Sequence, residues 1–202
     1  RDCLLSRGLG DVYKRQRKCR VFYKAGTGKE ENMFQKFFPD EYLDSTYLID
    51  FDALYKKGYR GVIFDIDNTL VPHGAPADEK AEALFAGLKN TGFQCCLLSN
   101  NQYERVSSFN QNIQVHFIEN AHKPSRKNYR KAMELMGTSL ENTIFVGDQL
   151  FTDVYGAKRT GIYNILVKPI HPKEEIQIVL KRKLEKIVLY FYKKEQRKRK
   201  NS

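Results

Sequence analysis

The chain has 202 residues, 41% of them hydrophobic, and a formal charge of +11 at pH 7. That length holds one good core with room for an appendage, and no apolar run approaches the roughly 20 residues of a membrane-spanning helix. The N-terminus lacks the charged, apolar and small-residue order of a secretory signal, so the cytoplasm is the expected compartment.

The charge is unevenly placed. Residues 1–32 carry nine Lys or Arg against four acids (+5), and residues 173–202 carry eleven against four (+7), which leaves the middle at −1. A nearly neutral domain with a basic tail is therefore expected, rather than a basic domain. Residues 1–16 show no helix or strand period, and their Gly10-Asp11-Val12-Tyr13-Lys14-Arg15-Gln16 end resembles translated adapter sequence. Lys29-Glu30-Glu31 can be encoded by a purine run of the ribosome-binding kind just before Met33. We expect Met33 to be the start and 1–32 to be a non-native leader; a basic arm is the alternative.

In chain order, Phe51 to Lys57 can form a helix before Gly58, and Val62-Ile63-Phe64 reads as a buried strand. Asp78 to Asn90 is a helix with Ala81, Leu84, Phe85 and Leu88 on one face, ended by Gly92. Phe93 to Leu98 is a second strand, in which Cys95 and Cys96 point to opposite faces and act as small hydrophobes rather than a redox pair. Gln102 to Phe109 reads as a helix and Val115 to Ile118 as a third strand. A helix follows from Ser125 to Gly137, then a strand over Thr143 to Val146. A helix through Val154, Tyr155 and Ala157 closes at Gly161, and a fifth strand covers Tyr163 to Val167. Alternating elements with continuously apolar strands predict an α/β fold, a doubly wound, five-stranded, parallel, Rossmann-like sheet over residues 33–172.

Right-handed crossovers place all strand exits on one edge. Asp65 and Asp67, Ser99, Lys123 and Asp148 each follow a different strand and are expected to converge there. Taken singly, each has an ordinary reading: a helix cap, a turn, a surface lysine. Four in this order suggest chemistry on a phosphate monoester, which needs a nucleophile, a proton donor and positive charge around its oxygens. Asp65 can be the nucleophile, and Asp67 the acid and base. Mg2+ prefers hard oxygens, here Asp65, the Asp67 backbone and Asp148. Ser99 and the amides after it, beginning at Asn100, can hold phosphate oxygens, and Lys123 can offset their charge.

Those residues resemble the four motifs of the haloacid dehalogenase (HAD) superfamily, subfamily IIIA: Asp65-x-Asp67-x-Thr69, Ser99, Lys123, and Gly147-Asp148 with Asp153. The resemblance implies Asp65 as nucleophile, Asp67 as acid/base, Ser99 and Lys123 as phosphate ligands, and Asp148 as a metal ligand. It also implies Asp153 as a further acid at the metal, directly or through water. Phe37-Phe38-Pro39-Asp40-Glu41-Tyr42, Asp65 to Val71, Leu98-Ser99-Asn100-Asn101, Gly147 to Val154 and Ile165 to Pro169 are similar to the bacterial YqeG family. That family is itself similar to mitochondrial and plant phosphatidylglycerophosphate phosphatases.

Asp67 and Ser99 are separated by 31 residues and Ser99 and Lys123 by 23, so neither gap holds a large cap domain and an open site is expected. An open site suits a bulky substrate, such as a lipid phosphate, a protein or a nucleic acid. In the tail, Ile176, Leu180, Leu184, Ile187 and Phe191 follow helical spacing among many cations. An amphipathic basic helix of that kind can lie on an anionic bilayer; packing on the core and contact with RNA are the alternatives. The leading expectation is a Mg2+-dependent lipid-phosphate phosphatase at the inner face of the membrane. A soluble phosphatase acting on a nucleotide, sugar phosphate or phosphoprotein, and an RNA-binding module with a vestigial site, are the other readings.

Overall fold

The structure is a computed structural model and describes residues 34–171 and 176–200. The expected 1–32 leader and the start of the 173–202 tail lie outside the described residues. Six strands make one sheet: β1 (Glu41–Leu43), β2 (Gly61–Phe64), β3 (Gln94–Leu98), β4 (His116–Ile118), β5 (Thr143–Gly147) and β6 (Tyr163–Val167). Every pairing is parallel, in the order β1-β6-β5-β2-β3-β4. The helices are α1 (Phe51–Lys56), α2 (Glu79–Thr91), α3 (Tyr103–Ile113), α4 (Arg126–Met136), α5 (Tyr155–Thr160) and α6 (Ile176–Lys200).

The doubly wound parallel α/β architecture matches the expectation, with one strand more than the five predicted. The extra strand, β1, is three residues long and lies on the edge against β6. Three residues carry no readable period. Its position is fixed instead by a side-chain clamp, in which Asn164, itself buried, donates from its backbone N–H (3.0 Å) and its side-chain amide to Asp40 Oδ2. The strands are apolar on both faces because both faces are covered. Val62, Phe64, Cys95 and Leu97 pack with Phe85 and Leu88 of α2 and Val106 and Phe109 of α3. Ile63, Cys96 and Phe145 pack with Tyr129, Ala132 and Met133 of α4 and Ala157 of α5. Cys95 and Cys96 thus face opposite layers, and burial pushes both thiols up to about 12.

Local chemistry sets the helix ends. The Asp78 carboxylate accepts the Ala81 N–H at 2.8 Å, Glu79 and Glu82 complement the positive end of α2, and Gly92 closes it at φ 100°. Between β5 and α5 the chain makes a wide turn, Leu150–Val154, in which the Val154 N–H reaches back five residues to Gln149 O at 3.2 Å. Gly156 lets that turn seat against α4: a Cβ there would lie 2.7 Å from a ring carbon of Tyr129. The Tyr129 hydroxyl donates to the carbonyls of Thr152 (3.1 Å) and Asp153 (3.2 Å). Gly156→Ala is expected to lower stability by about 1–3 kcal/mol through overpacking, read by urea denaturation. Adding Tyr129→Phe, which removes the hydroxyl, should restore part of the loss.

A third cluster, Phe38, Leu150, Val154, Leu166, Val188 and Tyr192, joins the lead-in, the wide turn and α6. The tail is helical over Ile176–Lys200, and the apolar stripe read from its sequence is not the face it buries. Glu185, Val188 and Tyr192 are buried, whereas Leu184 (53% exposed) and Ile187 (49%) point outward. Phe191 is half-buried and stacks on Phe34 at 5.3 Å. The side chains of Ile176 and Leu180 lie outside the described residues. Helical spacing alone does not say which of two apolar stripes meets the core.

Candidate active site

Sheet order reverses around β2, which has β3 on one side and β5 on the other, and ligand sites of open α/β sheets form at such a reversal. Asp65 leaves β2 at this point, its N–H bound to Val146 O at 2.9 Å. Asp65, Asp148 and Asp153 are all buried and each offers an oxygen within 4.8 Å of the others. Lys123 Nζ bridges two of them, donating to Asp65 Oδ1 at 2.6 Å and Asp153 Oδ1 at 2.8 Å. Gly147 makes room for Asp153, since a Cβ at 147 would come within 2.7 Å of the Asp153 Cγ. The other oxygen of Asp153 accepts the Gln149 N–H at 3.0 Å.

Asp148 is tied down on both oxygens. The Thr69 hydroxyl donates to Oδ1 at 3.3 Å, and Arg182 Nη2, from α6, donates to Oδ2. The Asp67 carboxylate lies outside the triad. Its Oδ1 accepts the Gly74 N–H (2.8 Å) and Arg105 Nη2 (2.8 Å), and its Oδ2 accepts the Asn101 side-chain amide. Ser99 Oγ is buried and accepts the Asn101 N–H at 3.2 Å. Asn100 Oδ1 accepts the Lys123 N–H at 2.8 Å, which joins the loop after β3 to the loop after β4.

Charge follows from burial. Removal from water, opposed by Lys123 and reinforced by Asp153, pushes the Asp65 carboxyl up to about 6. Burial likewise holds Asp148 well above the ordinary carboxylate range, and Arg182 works against it. Burial tends to lower Lys123, but Asp153 and Asp65 outweigh it and keep the ammonium charged.

Asp65, Asp67, Ser99, Asn100 and Lys123 all line one pocket of about 280 Å3, with the exposed His73 on its rim. Five of the seven residues singled out from the sequence therefore meet there. Asp148 lines instead a neighbouring cavity of about 170 Å3 beneath α6, with Arg182 and Glu185. Asp153 touches Lys123 from below the pocket floor. The sequence reading missed Asn101 and Arg105, which hold Asp67, and Arg182 and Glu185. Asn101 adjoins a motif and could have been found from that. Arg182 could not, since nothing separates it from the other basic residues of its helix, and Arg105, alone as a cation in its helix, carries no local pattern that points to Asp67.

Over 159 residues the chain is 34% identical to a probable phosphatase, YqeG, of Bacillus subtilis (strain 168); the match covers 78% of this chain and 92% of that protein. The chain belongs to the YqeG family. A family model described as "HAD-hyrolase-like" matches residues 120–175, the stretch that carries Lys123, Asp148 and Asp153. The chain is accordingly an enzyme, a HAD-type phosphatase. It is also similar to phosphatidylglycerophosphate phosphatase 1 of Arabidopsis thaliana, 28% identical over 158 residues, covering 70% of this chain and 44% of that protein. A glyceraldehyde 3-phosphate phosphatase of Pyrococcus furiosus is 28% identical over 90 residues, covering 40% of this chain and 38% of that protein. The chain thus spans under half the length of each of these last two relatives.

Proposed function

We propose that this enzyme is a Mg2+-dependent phosphomonoesterase that works through an aspartyl-phosphate on Asp65 and removes the terminal phosphate of phosphatidylglycerophosphate at a membrane surface. The observation that carries the chemistry is the Asp65 carboxylate itself, which is buried, held by Lys123 at 2.6 Å, and faces a pocket that also contains Asp67, Ser99 and Asn100. An Asp65 oxygen attacks phosphorus, the bond to the leaving oxygen breaks, and Asp67 gives that oxygen a proton. Asp67 then takes a proton from water as the water attacks the aspartyl-phosphate, which releases phosphate, frees the Asp65 carboxylate and returns Asp67 to the protonated form in which it began. Arg105 and Asn101 aim Asp67 for both transfers. Ser99 and the Asn100 amide hold phosphoryl oxygens, and Lys123 neutralises their charge.

The donor set fits a hard divalent cation, because three buried carboxylates face two contacting cations, Lys123 and Arg182. Asp65 and Asp148 would hold Mg2+, with Asp153 and the Asp67 backbone as further oxygen donors. Bound there, the ion would add positive charge beside the phosphoryl oxygens.

Support for the lipid comes from the similarity to the Arabidopsis enzyme and from the outward face of α6. Lys183, Lys186, Ile187, Tyr190, Lys194 and Arg197 are all exposed. Cations near an anionic bilayer contribute about 1 kcal/mol each, and Ile187 and Tyr190 can enter the interface between headgroups. RNA would gain the charge but nothing from Ile187. Among the described residues no helix is long and apolar enough to cross a membrane, so the contact proposed is peripheral. The similarity to the Pyrococcus enzyme favours a second reading, a soluble sugar phosphate.

The test is phosphate release by the full chain on phosphatidylglycerophosphate in mixed vesicles, on glyceraldehyde 3-phosphate and on a panel of other soluble monoesters. A kcat/KM at least about tenfold higher for the lipid is expected, a difference of about 1.4 kcal/mol in the transition state. A preference for any soluble monoester would refute the lipid assignment. Substituting Ile187 and Tyr190 by Glu together should abolish sedimentation with anionic vesicles; unchanged sedimentation would refute contact through this face.

A further inference from the structure

The α6 helix reaches into the site as well as covering it. Arg182 Nη2 donates to Asp148 Oδ2, and Arg182 Nη1 donates to the Asp148 backbone carbonyl at 2.7 Å and to Glu185 Oε2 at 2.9 Å. Glu185, buried, accepts the Leu150 N–H on its other oxygen at 2.7 Å. A planar fork bound on both edges by carboxylates is a strong, directional contact. It is made to one of the three acids that would hold the metal.

We infer that Arg182 is a positioning residue that serves as the counter-charge of Asp148 while the site lacks metal, and that it exchanges with the divalent cation. This rests on the metal reading proposed above. Two features support an exchange over a fixed brace. Each Asp148 oxygen already accepts a donor, Oδ1 from Thr69 and Oδ2 from Arg182, and a cation on the remaining lone pair of Oδ2 would sit beside a guanidinium that repels it. The guanidinium also has a resting place once displaced, because Nη1 is already on Glu185, one helical turn away. Charge points the same way: with Lys123 in place, a divalent cation completes the neutralisation of Asp65, Asp148 and Asp153, and Arg182 on Asp148 becomes surplus. A residue that binds the metal-free form alone must oppose metal, and by linkage metal must oppose the seating of α6. The outer face of that helix is the one proposed to meet the bilayer, so release of Arg182 would connect the two surfaces.

Calorimetric titration of Mg2+ into the full chain and into Arg182→Gln decides the matter. Exchange predicts a Kd lower by about fivefold or more in the variant, and a higher Kd in Glu185→Gln, where the displaced guanidinium loses the charge of its resting place. That second variant keeps an acceptor for the Leu150 N–H, and opposite shifts in the two variants cannot come from a shared folding defect. In the unaltered chain, saturating Mg2+ should speed amide hydrogen exchange in the first turns of α6, and Arg182→Gln should blunt that response. A Kd that is unchanged or higher in Arg182→Gln would show Arg182 to be a brace and overturn the exchange alone. No Mg2+ binding by any of the three proteins would overturn the metal reading and the exchange together.

Discussion

Asp65→Asn should lower kcat by about a thousandfold or more, at least 4 kcal/mol of transition-state stabilisation, and should at the same time stabilise the metal-free protein. Loss of activity follows if Asp65 forms the bond to phosphorus, since an amide is a poor nucleophile. The gain in stability follows from burial. A carboxyl pushed from its ordinary range up to about 6 holds its proton more tightly folded than unfolded. Above that pH the folded state must carry a charge that water would solvate better, so the group costs stability there and ceases to cost it as the pH falls toward 4. Asn keeps an oxygen to accept Lys123 Nζ, and Lys123 keeps Asp153, so little is lost in exchange. Thermal unfolding in chelator should show Asp65→Asn melting higher than the unaltered chain at pH 7.5, with the gap closing below pH 6. A lower melting point at pH 7.5 would mean that the Lys123 pair outweighs the desolvation of Asp65.

Asp67→Asn should behave differently, because Asp67 is assigned to the protons and not to phosphorus. Its shape is kept, and Gly74 and Arg105 still find an oxygen. On an alkyl monoester, with a poor leaving group, kcat should fall by about 100- to 10,000-fold. An aryl monoester needs less help to leave, so the first step should survive while hydrolysis stalls. Phosphorylated Asp65 should then accumulate and be found by mass spectrometry of the quenched enzyme. An Asp67→Asn enzyme that turns over an alkyl monoester at full rate would remove Asp67 from its assigned role.

The fold was legible wherever burial is continuous. Val62-Ile63-Phe64 and Thr143 to Val146 are strands because no other arrangement hides such runs at that length, and Gly92, Gly137 and Gly161 each end a helix in the left-handed conformation. The edge strand β1 was not legible because its register comes from Asp40 meeting Asn164, a contact across more than 100 residues that no local pattern encodes. The convergence of the candidate residues was legible because Asp65, Ser99, Lys123 and Asp148 each follow a strand in a parallel sheet, which fixes direction without any knowledge of contacts. Which side of the terminal helix is buried was not legible for a related reason. Its stripe of Leu and Ile was counted, but Val188 and Tyr192 form an equally good stripe, and only the shape of the surface beneath them chooses.

The floor and the rim of the pocket differ in how much change they can absorb. Gly147 against Asp153 and Gly156 against Tyr129 leave no room for even one added methyl, and the segment between them carries Asp148 and Asp153. New substrate preferences are therefore closed off on that side, since any larger side chain displaces an acid before it touches a ligand. On the opposite side, Pro72, His73 and Tyr103 stand in solvent. A lineage of such enzymes would diversify along this rim by lengthening or recolouring two short loops, while the acidic floor passed unchanged from one specificity to the next.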